Sequence, residues 1–387
     1  MKPFLLPWLV CPVDGGPLKA DVFTENDVTL NDQHREEIDR RRFLLTDFNK
    51  EWMDGLLYNP RLKLMYPLYR GVPRLLIFRH PLLDAFRETF DDRVRSYESE
   101  GYTFPDDDSI PGERSVLASF SNEWTGYGFD EDAYWGQEAE VYNESLYETI
   151  YNEHQDLRGK FVLEVGIGSG GSANYMCNKF GANLIGVDLG YATDVAFQHF
   201  GKNPFLHIAQ TSVFNPGIRE SAFDFVYSHG VIHHTYNTRR AFDKLSRMPK
   251  KGGRLYVWVY SYRNERRSLK RRVLMLLETL IRPWCSRLPG TLQTVVIQPL
   301  VPLYVFHQNT VYSGKKGMAR YGYREALHAA RDRFTPRYIH RHSEAEVMGW
   351  FQDNGFEQIR PLSSRTFSDF VTPGFYMNTG VEGFRKE

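Results

Sequence analysis

The residues best suited to chemistry lie between Glu164 and Asp188. Val162 to Gly171 reads VLEVGIGSGG, a short apolar run that meets a glycine-rich turn. Phe161 to Val165 has the composition of a buried strand. Gly166, Gly168 and Gly170 permit a tight turn in which backbone approaches a ligand closely. Ser172 to Lys179 reads as the helix that follows, and LIGVD as a second buried strand ending on Asp188. Asp188 stands 18 residues beyond Gly170. That is close to the roughly 20-residue spacing at which an acid takes a ribose hydroxyl pair in a βαβ nucleotide site. The pattern predicts an adenosine-containing cofactor on a doubly wound α/β sheet. A second group of chemical side chains, His229, His233, His234 and Tyr236, falls in SHGVIHHTYN at the end of a later strand. Open α/β sheets bind ligands at such carboxyl ends, and histidine titrates near neutrality, which suits a proton acceptor.

Nicotinamide, flavin and S-adenosylmethionine (SAM) proteins all use glycine turns. Two details separate them here. The spacing is Glu-x-Gly-x-Gly-x-Gly, not the Gly-x-Gly-x-x-Gly of a dinucleotide site that seats a pyrophosphate on a helix N-terminus. SAM carries no phosphate, and Glu164 can instead face its methionine ammonium. The continuation also fits: SAFDFVYSHGVIHHT reads as a strand with loop chemistry at its end, and RMPKKGGRLYVWVY as a helix end, a Gly-Gly turn and another buried strand. This order resembles the class I SAM-dependent methyltransferases, strongly over residues 158 to 262 and more weakly to the C-terminus. The resemblance implies a Rossmann-like seven-stranded domain. It implies SAM contacts from Glu164, Gly166, Gly168, Gly170, Asp188 and the adjoining Leu189. The family usually has an Asp after its third strand for the adenine amino group. This chain has Gln210, Thr211 and Ser212 near that place, so their oxygens or a backbone carbonyl would take over.

Methyl transfer is an in-line displacement, so the protein must align the reactants, exclude water and, for a hydroxyl, remove a proton. His229, His233 and His234 are the candidate bases. A His-His pair also occurs structurally in the small-molecule branch that this order resembles. Tyr236, Arg337 and His340 are candidate acceptor contacts, with Arg341 and His342 beside them in FTPRYIHRHSE. Ser343 with Glu346 also fits a capping box for the late helix HSEAEVMGWFQDNGF. No Asn-Pro-Pro-Tyr-type tetrapeptide follows the fourth strand, and no cysteine stands in a core motif. What remains is methylation of an oxygen, or less readily a nitrogen.

The chain has 387 residues, with 48 basic and 48 acidic side chains. A balanced charge disfavours nucleic acid as a partner. Three scattered cysteines, Cys11, Cys177 and Cys285, make no disulfide framework and suit a cytoplasmic setting. No signal-peptide pattern opens the chain, and no apolar run is long enough for a membrane span. A homo-oligomer stays open.

Three regions follow from composition. Residues 1 to 78 read as a small α+β ribbon-like domain. LLPWLVCPVDGGPL and GLLYNPRLKLMYPLYRGVPRLL resemble the zinc-ribbon-like activator subunits of tRNA and rRNA methyltransferases. Cys11 and Pro12 persist, but Asp14 replaces the second cysteine, and Asn59 and Pro60 stand where the other knuckle would be. A structural zinc site needs four ligands, mostly thiolate, so the domain is expected to be metal-free and held by Leu5, Leu6, Leu56, Leu57, Tyr66, Tyr69 and Leu75. Residues 79 to 150 read as a helical linker containing an amphipathic helix, Pro81 to Glu100. Trp124, Tyr127, Tyr134 and Trp135 are candidates there to cover the cofactor. Residues 151 to 387 read as the methyltransferase domain, with a helical lid inserted at 262 to 337. Within the insertion, RNERRSLKRRVLMLLETLIRPWCSR pairs eight cations with an apolar helical stretch, which fits a solvated helix or contact with an anionic membrane surface. The leading expectation is a methyltransferase for a small-molecule or sugar-type acceptor. The alternatives are a tRNA or RNA methyltransferase with its activator fused in cis, and a SAM-binding protein without catalysis.

Overall fold

The computed structural model describes residues 1–125, 133–134, 137–151, 157–262, 269–311, 320–369, 371, 375 and 377–387. Tyr127 and Trp135 lie outside the described residues. The chain divides into two compact units. The first comprises Met1–Arg114, Leu157–Val226 and Arg247–Lys250; the second comprises Ser115–Asp156, Tyr227–Ser246 and Lys251–Glu387.

The first unit is built on a Rossmann-like sheet. Strands β1 (Lys19–Asp27), β2 (Lys50–Asn59), β3 (Leu64–Tyr69) and β4 (Val72–Leu75) form an antiparallel meander. The strands β5 (Ala133–Tyr134) and β6 (Gln137–Glu138) make a small ladder of their own in the second unit. Strands β7 (Phe161–Val165), β8 (Asn183–Asp188) and β9 (Leu206–Thr211) run parallel, with Val162 opposite Leu184 and Leu184 opposite Leu206. Their residues are buried almost without interruption. That is how parallel strands covered on both faces read, as apolar runs rather than alternations. β10 (Phe223–His229) begins in this unit and ends in the second. β11 (Pro249–Val259) likewise begins in the first unit and continues in the second, where β11, β13 (Thr379–Arg385) and β12 (Phe356–Pro361) pair antiparallel in that order.

Residues 1–78, expected as a separate domain, belong to the first unit together with the glycine turn. β4 pairs in parallel with β9, Arg74 opposite Gln210 and Leu75 opposite Thr211. Of the residues expected to hold the ribbon, Leu5, Leu56, Leu57, Tyr66, Tyr69 and Leu75 are buried, and Leu6 is half-buried. The two positions that replace knuckle cysteines meet each other. The Asp14 carboxylate accepts from Asn59 Nδ2 at 2.9 and 3.0 Å, from Gly16 N at 2.9 Å and from Arg61. Cys11 Sγ lies 3.2 Å from the Tyr66 hydroxyl. Partial burial raises the Asp14 carboxyl, but donors on Gly16, Cys11, Asn59 and Arg61 outweigh it and hold the group down at about 2.

The stretch expected as one helix from Pro81 to Glu100 forms two, Pro81–Thr89 and Asp91–Ser99. Phe90 leaves helical geometry at φ −120° and ψ 35° and packs on Phe86 and Phe23. Asp91 and Asp92 then open a new helix, where its N-terminal dipole favours acids. The described part of the inserted segment is helical: Leu269–Cys285, Gly290–Ile297, Val301–Val311 and Tyr323–Phe334. Trp124, a candidate cofactor cover, packs edge-on against His328 of the last of these, 5.4 Å between centroids. Of Tyr134 only the backbone is described.

Candidate active site

The glycine turn links β7 to the helix Gly171–Phe180. Gly166, Gly168 and Gly170 take left-handed φ values of 89°, 54° and 84°. Side chains are strained there, and at Gly170 a Cβ would also sit 2.9 Å from that of Ala196. The turn is braced from β8. The N–H groups of Gly166 and Ile167 donate to the Val187 carbonyl at 2.7 and 3.1 Å. Asp188 receives Gly168 N on one oxygen at 3.2 Å and Gly190 N on the other at 2.8 Å. Burial raises the Asp188 carboxyl, and the backbone donors Gly190, Gly168 and Leu189 act against it.

The donor set fits SAM. Glu164 lies buried on β7 and Asp188 ends the neighbouring β8, which places acceptors for an ammonium and for ribose hydroxyls beside a turn open to close backbone approach. From Glu164 to Ser172 there is no lysine or arginine for a pyrophosphate.

The three polar residues at the end of β9 are already engaged. Gln210 accepts from Arg74 at 3.2 Å and donates to the Leu189 carbonyl at 2.8 Å. Thr211 Oγ1 donates to the Asn215 carbonyl at 3.3 Å and accepts Gly217 N at 2.8 Å. Ser212 Oγ accepts Phe214 N at 3.0 Å and donates to Glu113. Arg74, fully buried, forks onto Asp194 at 2.6 and 2.8 Å and also reaches the Tyr69 carbonyl at 3.1 Å. Through Arg74, Gln210 is thus tied to β4. Glu113 is the acid that sequence reading missed. Burial lifts its carboxyl to about 7, against the hydrogen bond from Ser212. Nothing local marks it, because it lies 99 residues before Ser212 in the chain.

The histidines of the second unit separate by environment. His229 stacks on Trp258 at 4.4 Å and 13°, and burial pulls its pKa down to about 3. His234 lies with Nδ1 3.1 Å from the Tyr338 carbonyl, so Nδ1 carries the proton. Its Nε2 then faces Asp332 at 3.9 Å. Burial lowers its pKa, and Asp332 and the Tyr338 carbonyl offset part of that. His233 packs between Tyr260, 4.0 Å away, and His234, 4.2 Å away. Neither of its ring nitrogens has a hydrogen-bond partner among the described residues. Burial, then the neighbouring His234, His342, Arg341 and His340, drive its pKa well down. The Tyr260 hydroxyl donates to Asp332 at 3.1 Å. Tyr260 and Asp332 were missed. An aromatic at the carboxyl end of the strand RLYVWVY was a usable signal for the first, and none existed for the second.

His340 joins this cluster by its backbone, donating to the His233 carbonyl at 2.9 Å, and burial lowers its side-chain pKa. Tyr236 instead meets Arg240 of the next helix. Arg337 is exposed over the Tyr338 ring at 5.5 Å. Arg341 pairs with Glu278 at 3.0 Å. The capping box is half made. Ser343 accepts Glu346 N at 3.2 Å, but the Glu346 carboxylate turns to His342 Nδ1 at 2.9 Å.

Residues 163–257 match the family described as "Methyltransferase domain". Among curated proteins, phosphoethanolamine N-methyltransferase 2 of Caenorhabditis elegans is 27% identical over 123 residues, covering 31% of this chain and 28% of that protein. Tocopherol O-methyltransferase of Arabidopsis thaliana is 27% identical over 141 residues, covering 35% and 37%. The matches thus span only 28% and 37% of these relatives' own lengths. A solved complex of the Trm112 methyltransferase activator with a methyltransferase, from Haloferax volcanii, aligns with a TM-score of 0.41 at 12% identity, covering 70% of this chain and 98% of that one. Residues 163–257, which contain the glycine turn, are thus a SAM-dependent methyltransferase domain in this chain.

Proposed function

We propose that the whole chain transfers a methyl group from SAM to an oxygen of a small-molecule or sugar-type acceptor. SAM, when bound, supplies an electrophilic methyl on a sulfonium. The chain's own task is then to hold the cofactor, orient the acceptor and take a proton. Glu164 and Asp188 hold the ammonium and ribose ends in this reading. Glu113, fixed by Ser212, meets the adenine amino group in place of the usual aspartate. His233 is the base for the acceptor hydroxyl. The single observation that carries the base assignment is a buried imidazole with both ring nitrogens unpartnered among the described residues. A buried polar group left unpaired costs about 1–3 kcal/mol, a cost that a bound hydroxyl would remove.

The N-terminal strands serve the same domain in cis, as an activator-like extension. The parallel pairing of β4 with β9 and the Arg74–Gln210–Leu189 chain of hydrogen bonds support this. A tRNA or RNA acceptor is the competing reading, and zero net charge weighs against it.

The test offers the protein methyl-labelled SAM with a small-metabolite extract and, separately, with bulk RNA. A small molecule that gains one labelled methyl supports the proposal. Label entering only RNA replaces the acceptor class. SAM binding with no labelled product in either arm leaves a binding protein without catalysis.

A further inference from the structure

Three successive helices of the inserted segment turn apolar stripes to solvent. On Leu269–Cys285 the stripe is Leu276, Leu280 and Trp284, spaced every four residues and so on one face. On Gly290–Ile297 it is Leu292, Val295 and Val296, and on Val301–Val311 it is Leu303 and Phe306. These side chains are 42% to 75% exposed. They make up eight of the fourteen large hydrophobic residues exposed among those described. The inner faces of the same helices are accounted for. Ile281, Cys285, Ile297, Leu300 and Tyr304 pack with Leu327, Ala330 and Phe334 of the helix Tyr323–Phe334. The three helices therefore rest on one common floor, and the stripes are what they present away from it.

Charge around this layer is one-sided. From Val273 to Val311 the sequence holds only Glu278, Arg282 and Arg287 as charged residues. Glu278 is buried and taken up by Arg282, by Arg341 at 3.0 Å and by Arg333 at 3.8 Å. In the sequence, the ten residues Arg263 to Arg272, which run into the start of the first helix, contain six arginines or lysines and one glutamate. A water-soluble partner would be met by a rim of mixed polar groups. Exposed leucine, valine, phenylalanine and tryptophan, next to a basic sequence and almost free of acids, match an interfacial helix lying on anionic lipid. No helix among the described residues is long and apolar enough to cross a membrane, so the layer would lie on a bilayer rather than span it.

We propose that this helical layer docks the protein on an anionic membrane surface. Leu276, Leu280, Trp284, Val295, Leu303 and Phe306 enter the boundary between headgroups and acyl chains, and the exposed Arg287 just beyond the first helix meets the lipid phosphates. The inference does not depend on which acceptor is methylated.

The test is cosedimentation of the full chain with vesicles of phosphatidylcholine alone and of phosphatidylcholine with phosphatidylglycerol. The expected result is binding to the anionic vesicles that weakens with salt, and much weaker binding to the neutral ones. The variant Leu280→Ser/Trp284→Ser removes exposed side chains only, so it keeps its circular dichroism spectrum and its SAM affinity while losing vesicle binding at least roughly tenfold. Three results overturn the proposal: no binding to anionic vesicles, unchanged binding by the double variant, or light scattering that shows a dimer which the double variant turns into a monomer. In the last case a second copy of the chain covers the face.

Discussion

The glycine-turn region and the histidine cluster treat buried polar groups in opposite ways. Around the turn Asp188 is matched by two backbone N–H groups, the terminal nitrogens of Arg74 by Asp194 and Gln210, and Ser212 by Glu113, while Arg74 Nε has no partner among the described residues. In the cluster, His233 is buried with both nitrogens unmatched among the described residues, and Nε2 of His340 and of His342 are likewise unmatched. Matched polar groups rigidify a scaffold, whereas unmatched ones carry a cost that a ligand can relieve. The proposed function gives the first region the task of holding and the second that of reacting, and the contrast in matching is what it rests on.

The sharpest way to break the comparison is to unmatch the scaffold. Asp194→Asn leaves the fully buried Arg74 guanidinium without its carboxylate. Removing one partner of a buried pair costs about 3–5 kcal/mol, and Asp194, 29% exposed, puts this pair at the low end. Urea unfolding should lose about 3 kcal/mol. A loss under about 1 kcal/mol would show that the edge is not rigid.

His233→Phe does the converse, deleting unmatched atoms while keeping a ring against Tyr260. Stability should hold or rise by about 1 kcal/mol, SAM affinity should stay, and turnover should fall at least roughly 100-fold. Full turnover with unchanged stability would return His233 to ordinary core packing.

Glu113 is matched by Ser212 yet pushed up from 4.5 to about 7 by burial. Its folded state favours the proton, so its stabilising contribution is present below 4.5 and is lost as pH rises through about 7. The full difference is about 3 kcal/mol. Glu113→Gln keeps a neutral amide in its place and should flatten that fall in unfolding free energy measured on either side of neutrality. A parallel fall in the variant refutes the assignment.

The smallest effect is at the former knuckle. Asp14 is held down from 3.8 to about 2, so its contribution is present above 3.8 and fades as pH falls toward 2. Asp14→Ala should cost about 1–2 kcal/mol at neutral pH. Elemental analysis should find no zinc. One zinc per chain, lost in Cys11→Ser, would make the cluster a metal site instead.

What the sequence by itself determined is the short-range machinery. The turn, the strands β7 and β8 and Asp188 lie within about thirty residues. Left-handed glycines and apolar runs are written in residue type, so the domain class and its cofactor were legible. Ser343 was legible as a helix cap for the same reason, although the other half of its box went to His342. The helix break at Phe90 was not, because it depends on packing against Phe23, far along the chain. The tertiary structure alone decided which histidine is unmatched. Tyr260, Asp332 and Tyr338 reach Ile232–His234 from up to 104 residues away, and Glu113 reaches Ser212 across 99. Burial and hydrogen-bond partners belong to the assembled fold, and no local pattern of residue types encodes which distant side chain arrives.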